Sequence, residues 1–301
     1  MSVRTTDDRS GSALSPVVVG VDGTEGALPA VRWAAATAAR GGRELLITHG
    51  LDLSAVHAAL GNYATTAPAL IAELRSRGAE FVADARRIAL AAAPSIVVRT
   101  EVSDAKPAEL LIRYSAGAHP IVLGVTPGIG TLLHLGSTLL AVVSHGHGDI
   151  VVVRGAIERD GPVVVGVDGS AVGEVALAAA FREASERRAE LVAVHIWSDV
   201  DLAEFSGYSF LDVPPEAMAD AEKSLLTTRL TDWCAKYPEV RVTCEVYPFD
   251  AARRLTEWSE SAGLLVVGSR GRGGFRGMLL GSTSNSLVQQ AFCPVMVVHP
   301  D

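Results

Sequence analysis

The sequence predicts an α/β protein made of two tandem, doubly wound domains, each with a five-stranded parallel-type sheet. Two observations carry this. Along each half, short β-branched runs alternate with alanine-rich segments of helical period, the pattern of right-handed βαβ units covered on both faces. The halves also repeat one another: Pro16 to Gly23 and Pro162 to Gly169 both read PVVVGVDG, 146 positions apart. His49 and His195 keep that offset, and Leu135-Gly136-Ser137-Thr138 returns as Leu280-Gly281-Ser282-Thr283 at an offset of 145. Three ordered matches make duplication the reading of the whole chain.

The elements follow in order. In the second half, Val163 to Val167 is a β-branched strand between Pro162 and Gly169, and Glu174 to Arg188 is a periodic helix. Glu190 to Ile196 is a strand, Pro215 to Lys236 a helix, Val240 to Val246 a third strand and Ala251 to Ser261 a helix. Leu264 to Val267 is the fourth strand; a glycine-rich loop, a helix from Ser282 to Ala291 and the strand Val295 to Val298 complete the half. The first half repeats this with strands Val17 to Val21, Glu44 to Thr48, Ile96 to Val102, Ile121 to Leu123 and Ile150 to Val153. Its helices are Leu28 to Ala39, Pro68 to Ala92, Pro107 to Ala116 and Ser137 to Ser144. Residues 1–15 read as a flexible tail, 16–155 and 162–301 as the two domains, and 156–161 as a linker. The valine-rich last strands of the two halves are short edges that need cover, so they are expected to face each other across an approximate two-fold axis.

Composition narrows the function. With 301 residues, 49% of them hydrophobic and 20% charged, the chain can fill two cores. No apolar stretch approaches the roughly 18 to 20 residues of a membrane span, and the first fifteen residues carry Asp7 and Asp8 without an apolar core, so a cytoplasmic protein with no membrane partner is expected. A net charge of −8 argues against nucleic acid. Cys234, Cys244 and Cys293 fit neither a disulfide framework nor a zinc site and read as buried free thiols.

The stretch that carries chemistry is Gly268-Ser-Arg-Gly271-Arg-Gly-Gly-Phe-Arg-Gly-Met-Leu-Leu-Gly281-Ser282, between a strand and a helix. Glycines at 268, 271 and 281 remove Cβ atoms where backbone would approach an anion, and the Ser282 to Thr283 region offers free N–H groups at a helix start. Arg270, Arg272 and Arg276 add positive charge suited to a small polyanion. The arrangement reads as a phosphate cradle.

The spacing Gly-x2-Gly-x9-Gly-Ser, together with the repeated Val-Asp-Gly turn, resembles the ATP-binding signature of the universal stress protein family, in its tandem, actinobacterial form. The resemblance implies a Rossmann-like fold of the adenine nucleotide alpha hydrolase type, with strand order 3-2-1-4-5 in each domain. The ligand crevice then lies at the carboxyl ends of strands one and four, where the winding reverses. It implies an adenine nucleotide as partner, ATP with Mg²⁺. In the second copy it carries nucleotide contact to Gly166, Asp168, Ile196, Val267, Gly268, Gly271, Arg272, Gly281, Ser282 and Thr283. In the first copy the matching residues are Gly20, Asp22, Gly50, Gly124, Gly128, Gly136, Ser137 and Thr138. The aspartates would accept from ribose hydroxyls or the adenine edge, and a residue of their type also bonds its own turn. His49 and His195 read as strand-end core residues.

The first copy departs from the pattern. Pro127 stands where the second glycine belongs, with Gly128 beside it, and the segment from Gly124 to Gly136 is one residue shorter than that from Gly268 to Gly281. Proline offers no N–H, and Thr131 and His134 replace arginine and leucine, so weaker binding in the first half is expected. No Gly-Lys-Ser/Thr loop, paired carboxylate or catalytic triad order appears, so no catalytic residue is assigned and a nucleotide-dependent regulatory module for the stress response is the leading reading. A slow ATPase or self-phosphorylating protein, and an interaction protein with a vestigial site, stay open as alternatives. A homodimer and an unidentified protein partner also stay open.

Overall fold

A computed structural model describes residues 14–60, 67–125, 136–154, 160–197, 215–271 and 280–300. The first half runs β1 (Val17–Gly20), α1 (Ala27–Gly41), β2 (Leu45–Gly50), α2 (Leu53–Leu60), α3 (Ala67–Ala92), β3 (Val98–Ser103), α4 (Pro107–Ser115), β4 (Ile121–Val125), α5 (Ser137–His145) and β5 (Asp149–Arg154). The second runs β6 (Val163–Val167), α6 (Ala171–Arg187), β7 (Leu191–Ile196), α7 (Pro215–Lys236), β8 (Val242–Tyr247), α8 (Ala251–Trp258), β9 (Leu264–Gly268), α9 (Ser282–Gln290) and β10 (Val295–Val298). Among the described residues no helix is long and apolar enough to cross a membrane.

The strands form one ten-stranded sheet in the order β3-β2-β1-β4-β5-β10-β9-β6-β7-β8. Each half is thus wound 3-2-1-4-5, all parallel within itself. The two edge strands do more than face each other. β5 and β10 pair antiparallel, Val152 with Val295 and Ile150 with Val297, which fuses two five-stranded sheets into one. Ile150 and Val152 correspond to Val295 and Val297 in the repeat, so exchanging the copies leaves the pairing unchanged, as a local two-fold requires. Pairing satisfies the backbone groups that two open edges would have left to solvent.

Alternation along the strands builds the core on both faces. Val17, Val19 and Val21 join an apolar cluster under α1, α3, α6 and α7, while Val18 joins the cluster on the α4, α5, α8 and α9 side. Both clusters contain residues from both halves, so the lobes share their cores across the β5–β10 seam. Phe181, fully buried on α6, stacks on Trp233 at 5.8 Å and Tyr237 at 5.7 Å, pinning α7 to α6. Removing such a ring costs about 3–5 kcal/mol.

One helix and several boundaries differ from expectation, and three of these differences have clear local reasons. The helix α2 is absent from the sequence reading, because eight residues are too few to display a period; its start is fixed by Asp52, whose Oδ1 accepts from Ser54 Oγ at 2.8 Å and Ala55 N at 3.2 Å. β8 begins at Val242, two residues late, because Val240 N donates to Tyr237 O at 3.1 Å and closes the end of α7. α8 stops at Trp258, where the Ser259 hydroxyl turns back onto Thr256 O at 2.6 Å. Of the three cysteines, all free, Cys293 is buried and Cys234 and Cys244 are half-buried, a correction to the expectation that all three are buried.

Candidate functional site

The site is built first from the turns that end β1 and β6. Gly23 and Gly169 both take φ of 77°, the left-handed conformation that lets the chain reverse beside each aspartate. Asp22 Oδ1 accepts from Thr24 N at 3.0 Å and Thr24 Oγ1 at 2.6 Å. Asp168 Oδ1 likewise accepts from Ser170 N at 2.9 Å and Ser170 Oγ at 2.7 Å. Ser170 then caps α6, its hydroxyl accepting from Gly173 N at 3.0 Å. One oxygen of each carboxylate is therefore committed to its own turn.

The second oxygen of Asp168 reaches the glycine loop. A Cβ on Gly271 would lie 2.6 Å from Asp168 Oδ2, so the acid after β6 and the loop after β9 meet although 103 residues separate them in sequence. The loop is closed by backbone: Ser269 N donates to Val298 O at 2.8 Å, and Gly281 N donates to Ser269 O at 2.8 Å. The Ser284 hydroxyl adds a bond to Gly268 O at 2.6 Å. Gly281 thus spends its own N–H on the loop, and the donors left for an anion are those of the first turn of α9. Neither Gly281 nor Gly136 places a side-chain cap over the helix it precedes, so α9 and α5 both begin with uncapped N–H groups, where the helix dipole favours negative charge.

The glycines at the strand ends also have a packing reason. A Cβ on Gly124 would stand 2.1 Å from Gly26 O, and one on Gly268 2.9 Å from Val172 Cγ1. They clear the starts of α1 and α6, letting each helix N-terminus sit against the fourth strand of its lobe.

In the first lobe these parts enclose a cavity of about 330 Å³. Gly20, Asp22, Gly50, Gly124, Gly136, Ser137 and Thr138 all line it, with Val21, Pro107, Leu110, Val125 and Leu139 as apolar wall. It opens at the carboxyl ends of β1 and β4, between strands that are neighbours at the reversal of winding. Gly128, with Pro127, Thr131 and His134, lies outside the described residues. In the second lobe Gly166 lies one residue before the end of β6, against Leu255, Ile196 ends β7 paired with Tyr247, Val267 and Gly268 end β9, and Ser282 and Thr283 open α9. Arg270 is exposed beside Gly271, while Arg272 and Arg276 lie outside the described residues.

Thr48 was not singled out by the sequence reading. It lines the first-lobe cavity, and among the described residues its buried Oγ1 has no hydrogen-bond partner. The repeat gave no signal for it, since the matching position in the second copy is Val194. Ser269 presents the same situation in the second lobe, a buried hydroxyl beside Gly268 without a partner among the described residues. Buried hydroxyls are ordinarily bonded, so both are poised for a polar ligand or water.

The strand-end histidines hold the crevice walls. His49 Nδ1–H donates to Val21 O at 2.7 Å and His195 Nδ1–H to Val167 O at 2.6 Å, tying β2 to β1 and β7 to β6 beside the aspartates. His49 meets the Phe81 ring edge-on at 5.4 Å, and His195 Nε2 lies 3.4 Å from Glu222 Oε2 on α7.

This architecture and its parts have known relatives. The universal stress protein family model matches residues 14–154 and again 161–299. A universal stress protein of Mycolicibacterium smegmatis is 36% identical over 299 residues, covering 94% of this chain and 97% of that protein. One from Mycobacterium tuberculosis is 38% identical over 298 residues, covering 94% and 96%. Among solved structures, a universal stress protein from Archaeoglobus fulgidus superposes with a TM-score of 0.69 at 17% identity, covering 94% of this chain and 98% of that one, a likeness of fold. Matched twice by the family model and over nearly its full length by these relatives, the chain belongs to the universal stress protein family, as a tandem member.

Proposed function

We propose that this protein is a cytoplasmic, nucleotide-dependent regulatory module of the stress response that binds ATP with Mg²⁺ in the carboxyl-end crevices of its lobes. The observation that carries the reading is the first-lobe cavity: although that copy carries Pro127 and a shortened loop, Val21 and Asp22 of its turn, Gly50 and the start of α5 still line one cavity. Its apolar wall suits a purine, Asp22 suits ribose hydroxyls, and the uncapped first turn of α5 with Ser137 and Thr138 suits phosphates. Magnesium ordinarily keeps several waters and arrives on the phosphates, so the protein need supply little of its coordination. In the second lobe the same roles fall to Gly166, Asp168, Ile196, Val267, Gly268, Gly271, Arg272, Gly281, Ser282 and Thr283. Binding there is the tighter of the two, since its longer loop carries Arg270, Arg272 and Arg276.

The domains run 16–155 and 162–301, with 1–15 as tail and 156–161 as linker. A homodimer would use a surface other than the edges of β5 and β10, which already pair with each other. Mass spectrometry of the protein purified under non-denaturing conditions tests the ligand: a copurified adenine nucleotide supports the reading. Protein that neither retains ATP nor takes it up in titration favours a vestigial site, and steady phosphate release from ATP favours a slow ATPase.

A further inference from the structure

We propose that the seam between the lobes holds a divalent transition-metal ion on His119, Glu183 and Glu186. His119 stands just before β4 in the first lobe, and both glutamates lie near the end of α6 in the second. One ligand atom from each of the three lies within 4.8 Å of the others. The place is separate from the nucleotide crevice. His119 is at the amino end of β4 while the crevice is at its carboxyl end, and Glu186 is about 24 Å along α6 from Ser170 at 1.5 Å per residue.

Independent observations point to a ligand there. Glu183 is 1% exposed; its Oε2 accepts from Arg187 Nε at 3.0 Å, and its buried Oε1 has no partner among the described residues. The buried His119 Nε2 also has no partner among the described residues. His119 Nδ1 instead faces Asp149 Oδ2 at 3.4 Å, and Asp149 is held in turn by Arg182 Nη2 at 2.5 Å. A carboxylate that accepts from Nδ1–H fixes the tautomer and leaves the Nε2 lone pair for a metal, the usual support of a ligating histidine.

The donor set is one imidazole and two carboxylates, which suits Zn²⁺, Co²⁺ or Mn²⁺ with water completing the shell. Bonds of roughly 2.1 Å place tetrahedral donors about 3.4 Å apart, so small side-chain rotations close the site. The carboxylates of Asp149, Glu183 and Glu186 outnumber the guanidinium groups of Arg182 and Arg187, so a cation meets a net negative charge. The set occurs once: the repeat places Gly263, Thr37 and Arg40 at the positions related by the two-fold. An ion here would clamp β4 of one lobe to α6 of the other.

The test uses the full chain, stripped of metal and nucleotide, titrated with Co²⁺ and Zn²⁺. One Co²⁺ per chain should bind with visible d–d absorption and be displaced by Zn²⁺, and Zn²⁺ should raise the melting temperature. His119→Gln and Glu186→Gln should each weaken binding at least tenfold with circular dichroism unchanged. Glu186 makes no ion pair among the described residues, so Glu186→Gln decides the matter if the histidine variant misfolds. No saturable Co²⁺ binding, or binding unaltered by Glu186→Gln, would overturn the proposal.

Discussion

Arg154 and His299 hold matching places at the ends of β5 and β10, and each reaches a helix carbonyl of the opposite lobe. Arg154 Nη2 donates to Val288 O at 2.9 Å and His299 Nε2–H to Val143 O at 2.9 Å. Val143 and Val288 are themselves equivalent in the repeat, so duplication produced a reciprocal pair of clasps across the seam, one made by a guanidinium and one by an imidazole.

That difference in chemistry makes the seam sensitive to pH. His299 also has Nδ1 3.2 Å from Gly148 O, and burial pushes its pKa below the ordinary histidine value despite the bonds to Val143 and Gly148. A group with a depressed folded pKa stabilises fully above its unfolded value, about 6.5, and that contribution is lost as pH falls through the folded value. Stability should therefore decline as pH drops below about 6.5, and His299→Gln should flatten the decline. Urea denaturation at a series of pH values checks this; identical slopes for the two proteins would remove His299 from the effect.

Arg188 offers a test of local strain. It ends α6 with φ 53° and ψ 40°, left-handed, where the matching end of α1 carries Gly42 at φ 61°. A side chain in that conformation costs roughly 1–2 kcal/mol, partly offset by the greater unfolded-state freedom of glycine. Arg188→Gly is expected to stabilise the protein by about 0.5–1 kcal/mol in chemical denaturation. A loss of stability would show that the arginine side chain makes up for the strain.

The aspartates separate turn from ligand. Asp22 Oδ1 and Asp168 Oδ1 each accept two bonds within their turns, so Asp→Asn keeps an acceptor there while removing the charge. Asp168→Asn and Asp22→Asn should keep the circular dichroism spectrum and weaken ATP binding at least tenfold at the lobe concerned, about 1.4 kcal/mol or more. Unaltered affinity in both would confine the carboxylates to holding their turns.

The fold was legible because both of its signals are local. β-branched runs bounded by Pro162 and Gly169 mark strands, and the PVVVGVDG repeat marks the duplication, without any knowledge of contacts. That β5 and β10 face each other was readable from their need for cover, but their antiparallel pairing was not, since strand partners depend on long-range packing. In the site, sequence spacing picked out Gly124 and Gly268, but not their packing role, because the atoms they clear, Gly26 O and Val172 Cγ1, are brought there by the fold. Thr48 was hidden because a threonine at a strand end is ordinary until its hydroxyl is seen buried and unpartnered.

Calorimetric titration of the nucleotide-free protein with ATP and Mg²⁺ tests the central claim most directly, with leucine placed at Gly281 or Gly136. A Cβ on Gly281 makes only ordinary contacts, the nearest 3.5 Å away, and one on Gly136 meets nothing within 4 Å, so both variants should fold. Losing one charge-assisted contact costs roughly 1.5–3 kcal/mol, enough to separate the two sites by one to two orders of magnitude. The account predicts a tight site abolished by Gly281→Leu and spared by Gly136→Leu, and a weaker one with the opposite response. Two equal sites, loss of the tight one through Gly136→Leu, or no heat of binding at all would contradict it.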